Sequence, residues 1–230
     1  MGRKAATDPR ERMVEVGGDY DRMVSNILGW YYRASDAEIV EGQAWYGVAG
    51  DLADELAVAG GFSREHGAAI ISHLSPQTDW DRNMSGAREF VATGGETAFG
   101  IMGASIARAN VAMRSDAPLA TFGDGGPKTR RFAHNILGDR DGVTVDIWAA
   151  RAAFGDMFAV KADTVLGWAN IYAITEGAYK EVAAQVGETP ADLQAIVWVT
   201  IRNADDAAKQ AAREAKEAAK AARRRVKVTA

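Results

Sequence analysis

The 230-residue chain contains no cysteine. That excludes disulfides, iron–sulfur clusters and thiolate zinc sites. Histidine is scarce as well: His66, His73 and His134 are the only three. They show neither His-x3-His nor His-Glu-x2-His spacing, so no metal site is expected. No apolar run approaches the ~18 residues that mark a membrane span. Met1-Gly2-Arg3-Lys4 is basic, but no apolar stretch follows it. A secretory signal is therefore not expected, and a cytoplasmic location is. Alternating apolar and polar runs joined by hairpin turns are missing too. Val143-Thr144-Val145 is the best strand candidate, and it is short.

What is present is ordinary globular material. With 47% hydrophobic and 25% charged residues, the chain can fill a buried core and is not globally disordered. Its net charge of −4 is unevenly distributed. From Ala204 to Ala230 eight Lys and Arg stand against four Asp and Glu, which leaves +4 there and −8 on the rest. An acidic body with a basic tail hints at an anionic partner.

The apolar spacing is helical almost throughout. Ser35-Asp36-Ala37-Glu38 reads as a capping box, followed by Trp45, Val48, Ala49, Leu52 and Leu56 on one face. Gly60-Gly61 should stop that helix, and Ser63 can cap the next. Thr78 to Asp81 looks like another start. Thr189-Pro190-Ala191-Asp192 places a cap and then Pro at the first helical position, leading into Leu193, Ile196, Val197, Thr200 and Ile201. This predicts an all-α protein of eight to ten helices, with Gly155 to Ile174 ambiguous. Residues 1–203 form the globular part. Residues 204–230 are Ala-rich and charged, with no apolar stripe through Arg225, so they read as a solvated helix or a disordered tail.

The chemistry concentrates in Thr121-Phe122-Gly123-Asp124-Gly125-Gly126-Pro127-Lys128-Thr129-Arg130-Arg131. A glycine-rich turn runs into a basic helix start, where amide dipoles and cationic side chains attract an anion. It is not a nucleotide P-loop. Pro127 stands where the second glycine is needed and has no N–H to offer a phosphate. A helix–hairpin–helix fits better: Ala117 to Phe122, a hairpin from Gly123 to Pro127, then Lys128 to Leu137. Downstream, Asp146 follows Gly142-Val143-Thr144-Val145, eighteen residues after Lys128. Upstream, Ser75-Pro76-Gln77-Thr78-Asp79-Trp80 follows an apolar helix.

These segments resemble the helix–hairpin–helix (HhH-GPD) DNA glycosylase superfamily, the endonuclease III-like group. That family carries a Gly-rich hairpin ending in G-x-K-[TV]-A, a V-D-T-H segment with its aspartate, and L-L-S-x-Q-[AT]-[TS]-D. The resemblance spans roughly Gly67 to Phe154. It departs at Asp124 in the hairpin, at Ile147-Trp148 after the aspartate, and at Arg130-Arg131-Phe132, as in a distant, phage-type member. It implies a two-lobed helical fold, with both ends of the chain sharing one lobe. It implies Asp146 and Lys128 as catalytic residues: the aspartate to stabilise a cationic sugar, the lysine as amine nucleophile or as a phosphate contact. Gln77 would wedge into the base stack beside Thr78. Gly123, Gly125, Gly126, Thr129, Arg130 and Arg131 would contact DNA. Trp80 and Trp148 would either stack on an everted base or fill core. His73, His134 and Asn135 read as ordinary packed or surface residues, and Asp146 alone would read as a helix N-cap.

The expected activity is thus excision of a modified or damaged base from double-stranded DNA, with abasic-site lyase activity if Lys128 attacks. The alternatives are a phage-type enzyme acting on a hypermodified base, or a non-catalytic hairpin DNA-binding protein. No cofactor is expected, although hairpin carbonyls could hold a monovalent cation, and the expected state is a monomer. Deleting residues 204–230 is expected to weaken duplex binding equally for all DNA sequences and to flatten its salt dependence, as fluorescence anisotropy at several salt concentrations would measure.

Overall fold

The computed structural model describes residues 8–123 and 126–228, with 221–228 as backbone only. The chain is all-α, and no strand occurs among the described residues. Eleven α-helices follow one another there. They are α1 (Pro9–Glu15), α2 (Tyr20–Tyr31), α3 (Asp36–Gly60), α4 (Arg64–Leu74), α5 (Trp80–Ala92) and α6 (Gly103–Met113). Then come α7 (Pro127–Ile136), α8 (Ile147–Phe154), α9 (Ala162–Leu166), α10 (Ile171–Val186) and α11 (Pro190–Val228). A 3-10 turn, Pro118–Phe122, precedes α7. The count exceeds the eight to ten expected, partly because α9 is a single short turn inside the ambiguous stretch.

Local chemistry explains most of the helix ends. Pro9, Pro118, Pro127 and Pro190 each open a helical segment, where a missing N–H costs nothing. The Ser35–Glu38 capping box is complete, and Gly61 ends α3 in the left-handed conformation at φ +67°. Asp79 caps α5 by accepting the Arg82 amide at 2.9 Å. Thr189 caps α11 by accepting the Asp192 amide at 3.2 Å.

Two core clusters result. One joins α1 and α2 to α8, α9 and α10 through Met23, Ile27, Phe154, Ile171 and Tyr179. The other joins α3 to α7 through Tyr46, Leu52, Ile70, Ile71, Phe90 and Ile136. Helix α11 belongs to both. Leu193, Val197 and Ile201 enter the first cluster, while Ala191 and Ala195 enter the second. Beyond Asn203 it continues as helix with its described side chains exposed, apart from the half-buried Asp205.

The expected strand over Val143–Val145 is not formed. The segment has no strand partner, and side chains take up part of its polar backbone. Glu176 accepts the Val143 amide at 3.3 Å, and Tyr172 donates to the Val143 carbonyl at 3.0 Å. The Val145 amide donates to the Tyr172 hydroxyl at 3.2 Å. The first arm of the expected hairpin is also shorter and tighter than α-helix, a 3-10 turn over Pro118–Phe122.

Helices α3 and α11 cross at Gly42. A Cβ there would lie 2.5 Å from Ile196 Cα, which is backbone and cannot rotate away. Gly42→Val is therefore expected to lower unfolding free energy by about 2 kcal/mol. Gly47→Ala, on the same helix but with nothing within 4 Å of its Cβ, should raise it by about 0.5–1 kcal/mol. Urea titrations of both variants check the pair.

Candidate functional site

A cavity of about 290 Å³ opens where the two clusters meet along α11. For scale, a dry cavity of ~150 Å³ holds a benzene ring. The α3 side supplies Trp45 and Tyr46; the α4–α5 loop and α5 supply Gln77, Thr78, Trp80 and Asn83. Helix α7 supplies Lys128 and Phe132, the α8 end supplies Thr144, Asp146 and Trp148, and α11 supplies Gln194, Trp198 and Arg202.

The walls are aromatic. Trp45 is the hub, with ring centroids 4.6 Å from Trp80, 5.3 Å from Trp198 and 5.9 Å from Phe132. Arg202 lies over the Trp198 ring at 4.6 Å, and Arg151 lies over Trp148 at 4.6 Å. Both are cation–π contacts that hold an indole in place. Tyr46 is buried and donates its hydroxyl to Gln194 at 2.7 Å.

Asp146 is the N-cap of α8, and its carboxylate accepts the Ala149 amide at 2.8 Å. Its surroundings are poorly hydrated, and this desolvation pushes its pKa above the usual carboxyl value. The Lys128 charge is the leading opposing effect, helped by the Ala149 and Trp148 amides and the Trp198 indole. The side chain that caps α8 is thus also one that lines the cavity.

The loop that carries Asp146 is held from three directions. Asn135, fully buried on α7, donates to the Gly142 carbonyl at 2.8 Å and accepts the Thr144 hydroxyl at 2.7 Å. Tyr172 and Glu176 of α10 hold Val143 and Val145, as described above. Tyr179 then donates to the Ala149 carbonyl at 3.1 Å.

Gln77 is exposed on the loop between α4 and α5 and adopts φ +59°, left-handed for a residue with a Cβ. Upstream of Lys128, the 3-10 turn is docked by His73. That imidazole is buried, stacks on Phe122 at 4.3 Å and bonds the Thr121 hydroxyl at 2.9 Å. Burial, and after it the Arg108 charge, push its pKa down to about 4. His73 is thus a packed, neutral histidine at ordinary pH.

Of the residues singled out in the sequence, Gln77, Thr78, Trp80, Lys128, Asp146 and Trp148 all line this cavity. The described hairpin glycines, Gly123 and Gly126, do not. Gly123 is exposed at φ +59°, and Gly126 immediately precedes α7. Gly125 and Asp124 lie outside the described residues. Thr129 turns back to donate to the Gly126 carbonyl at 3.2 Å, and Arg130 is exposed. Arg131, expected at phosphates, instead pairs with Asp139 at 3.2 Å and Glu176 at 3.3 Å. Two carboxylates hold it beside Gly142, at the start of the segment that leads to Asp146. Trp45, Tyr46, Asn83, Gln194 and Trp198 were not anticipated. One available signal was Gln194, a polar residue inside the apolar face running from Leu193 to Ile201.

A family model described as a family of unknown function (DUF7178) matches residues 11–205. The chain belongs to this family. No curated protein and no solved structure matches it. The DUF7178 match takes in every residue that lines the cavity, and it ends close to where α11 leaves the core. Among the described residues, no group of three or more His, Asp or Glu could hold a metal ion, and no helix is long and apolar enough to cross a membrane.

The Asp146 shift has a stability consequence of definite sign. A carboxyl whose pKa is higher in the folded state contributes stability at acid pH, and loses it as pH rises through the folded value. Asn carries no charge and caps a helix as well as Asp does. Asp146→Asn is therefore expected to melt at a higher temperature than wild type at neutral pH. The gap should shrink toward zero below the ordinary carboxyl pKa of 3.8, which melting curves across that pH range would show.

Proposed function

We propose that this chain is a DNA glycosylase of helix–hairpin–helix type, which everts a modified or damaged nucleotide and breaks its N-glycosidic bond. The observation that carries the reading is convergence. Gln77, Lys128 and Asp146 come from three separate segments and line one aromatic-walled cavity. That cavity has room for a heterocycle larger than benzene, and eversion is required because a stacked base hides its glycosidic carbon.

The chemistry follows from the groups present. As the C1′–N bond breaks, the base leaves with the bonding pair and positive charge grows on the sugar. The Asp146 carboxylate, in a poorly hydrated position, stabilises that charge. Water then adds to C1′, or the Lys128 amine does, giving a Schiff base that permits strand cleavage. Gln77 occupies an exposed loop in a strained backbone conformation, as a residue that replaces an everted base in the stack would. The glycine turn before α7 and the exposed Arg130 offer phosphate contacts. The helix cap alone would be served as well by an uncharged Asn, so a desolvated carboxylate at this position favours the catalytic reading over the non-catalytic one.

The test begins with duplexes carrying oxidised, alkylated, deaminated or hypermodified bases. With the processed duplex, Asp146→Asn is expected to slow base release by ~10²-fold or more, while duplex affinity holds. Lys128→Gln should abolish borohydride trapping of a protein–DNA adduct and leave base release by water. Equal rates for wild type and Asp146→Asn would overturn the catalytic assignment. Hairpin-dependent binding with no base released from any duplex would favour chemistry on a base that stays attached.

A further inference from the structure

Helix α11 presents one face twice, first to the cavity and then to solvent. At 3.6 residues per turn, Trp198, Arg202, Lys209, Arg213, Lys216 and Lys220 fall within an arc of about 60°. Trp198 and Arg202 line the cavity. One turn beyond Arg202, Asp206 lines the smaller hollow that adjoins it, again with Trp198 and Arg202. Lys209 lies 3.5 Å from Asp206 and also pairs with Asp205. Arg213, Lys216 and Lys220 follow, all exposed. The sequence keeps the spacing at Arg223, Arg224 and Lys227.

The other faces of this stretch differ. Leu193, Val197 and Ile201 pack into the core, and the same side continues outward as Ala208, Ala211, Ala215 and Ala219. Glu214 and Glu217 fall outside the basic arc, with Glu217 reaching Lys220 from the side at 4.0 Å. Solubility asks for charge, not for charge of one sign gathered on one side. Residues 204–230 carry +4 and the rest of the chain −8. An anionic polymer is therefore repelled by the body and attracted along this stripe.

We propose that the basic stripe of α11 is a second DNA-contacting surface, which grips duplex phosphates along the side on which the cavity opens. This rests on the glycosylase reading for the nature of the polymer. It adds where the duplex flanking the everted nucleotide runs. From Trp198 to Lys220 the face extends about 33 Å, the rise of roughly ten base pairs. A straight, stiff row of cations suits a duplex, which is itself straight over that length. A membrane surface is a poor match, because alanines offer nothing that enters acyl chains. Lys209 is already engaged by Asp205 and Asp206, so the phosphate contacts fall to Arg213, Lys216 and Lys220.

The test turns the stripe without changing its charge. Two alanines inserted between Gln210 and Ala211 rotate everything beyond them by about 200°, and seven return it to within about 20° of its original direction. The full-length protein and both insertion variants would be titrated with an unmodified 30-base-pair duplex at several salt concentrations. The two-alanine variant is expected to bind ~10-fold or more weakly, with a salt dependence shallower by about two to three contacts. The seven-alanine variant should recover both. A variant of unchanged length and net charge gives a second reading, should an insertion disturb the helix. It combines Arg213→Ala, Lys216→Ala and Lys220→Ala with Ala211→Lys, Ala215→Lys and Ala218→Lys, and should bind as weakly as the two-alanine variant.

Equal binding by wild type and the two-alanine variant would mean that the charges attract DNA from any direction, and the proposal is overturned. It is overturned as well if both insertions weaken binding equally, or if the phase governs binding to phosphatidylserine vesicles and not to DNA. Binding is read without turnover, so the two readings fail separately. Base release with duplex affinity indifferent to phase removes only the stripe. Phase-dependent duplex binding with no base released removes only the glycosylase.

Discussion

Helix α11 can lie close against α3 only because Gly42 has no side chain and leaves room for the Ile196 backbone. Much of the molecule depends on that contact. One turn further along α3 come Trp45 and Tyr46, and near Ile196 on α11 come Gln194 and Trp198. The close crossing brings the Tyr46 hydroxyl to within 2.7 Å of Gln194 and the two indoles to 5.3 Å. The same helix then sends Leu193 and Val197 into one core and Ala191 and Ala195 into the other. The cavity is the space left at that seam, where side chains from both clusters face each other and neither fills the gap.

The opposite wall follows a different principle. The segment before Asp146 is extended but belongs to no sheet, so its backbone groups depend on Asn135, Tyr172 and Glu176. Arg131 is drawn into the same arrangement through Asp139 and Glu176. Helices α7 and α10 thus fix a carboxylate whose charged form is disfavoured by its surroundings. Such a placement opposes stability, because the carboxylate is held ionised where its surroundings favour the neutral form.

The sequence was most informative where local rules act. The Ser35–Glu38 box, the Gly61 stop, the Pro190 start and the apolar face from Leu193 to Ile201 depend on residues a few positions apart, and each was legible. The segments carrying Gln77, Lys128 and Asp146 stood out through their resemblance to the glycosylase motifs, each a run of a few neighbouring residues. The aromatic walls were not. Trp45 and Trp198 sit on different helices 153 residues apart, and only the Gly42 crossing makes them neighbours. The ion pairs of Arg131 were hidden for a related reason. Its charge was visible, but its acidic partners, Asp139 in the next loop and Glu176 on α10, were not visible as partners. Val143–Val145 has strand composition, and only tertiary side chains decide that it pairs with none.

The outer part of α11 shares its first turns with the core. Starting a helix is the costly event, since several residues must be ordered before the first bond forms; extending one is nearly free. The packed turns from Pro190 to Ile201 have already met that cost, so the Ala-rich stretch after Asn203 needs no partner to stay helical. At 1.5 Å per residue, the seventeen residues from Ala204 to Lys220 reach about 25 Å outward. The basic residues of that stretch are therefore carried on a strut with a fixed heading from the cavity. A flexible tether of the same composition would spread the same charges over every direction, and any encounter they make would say nothing about how the cavity is turned.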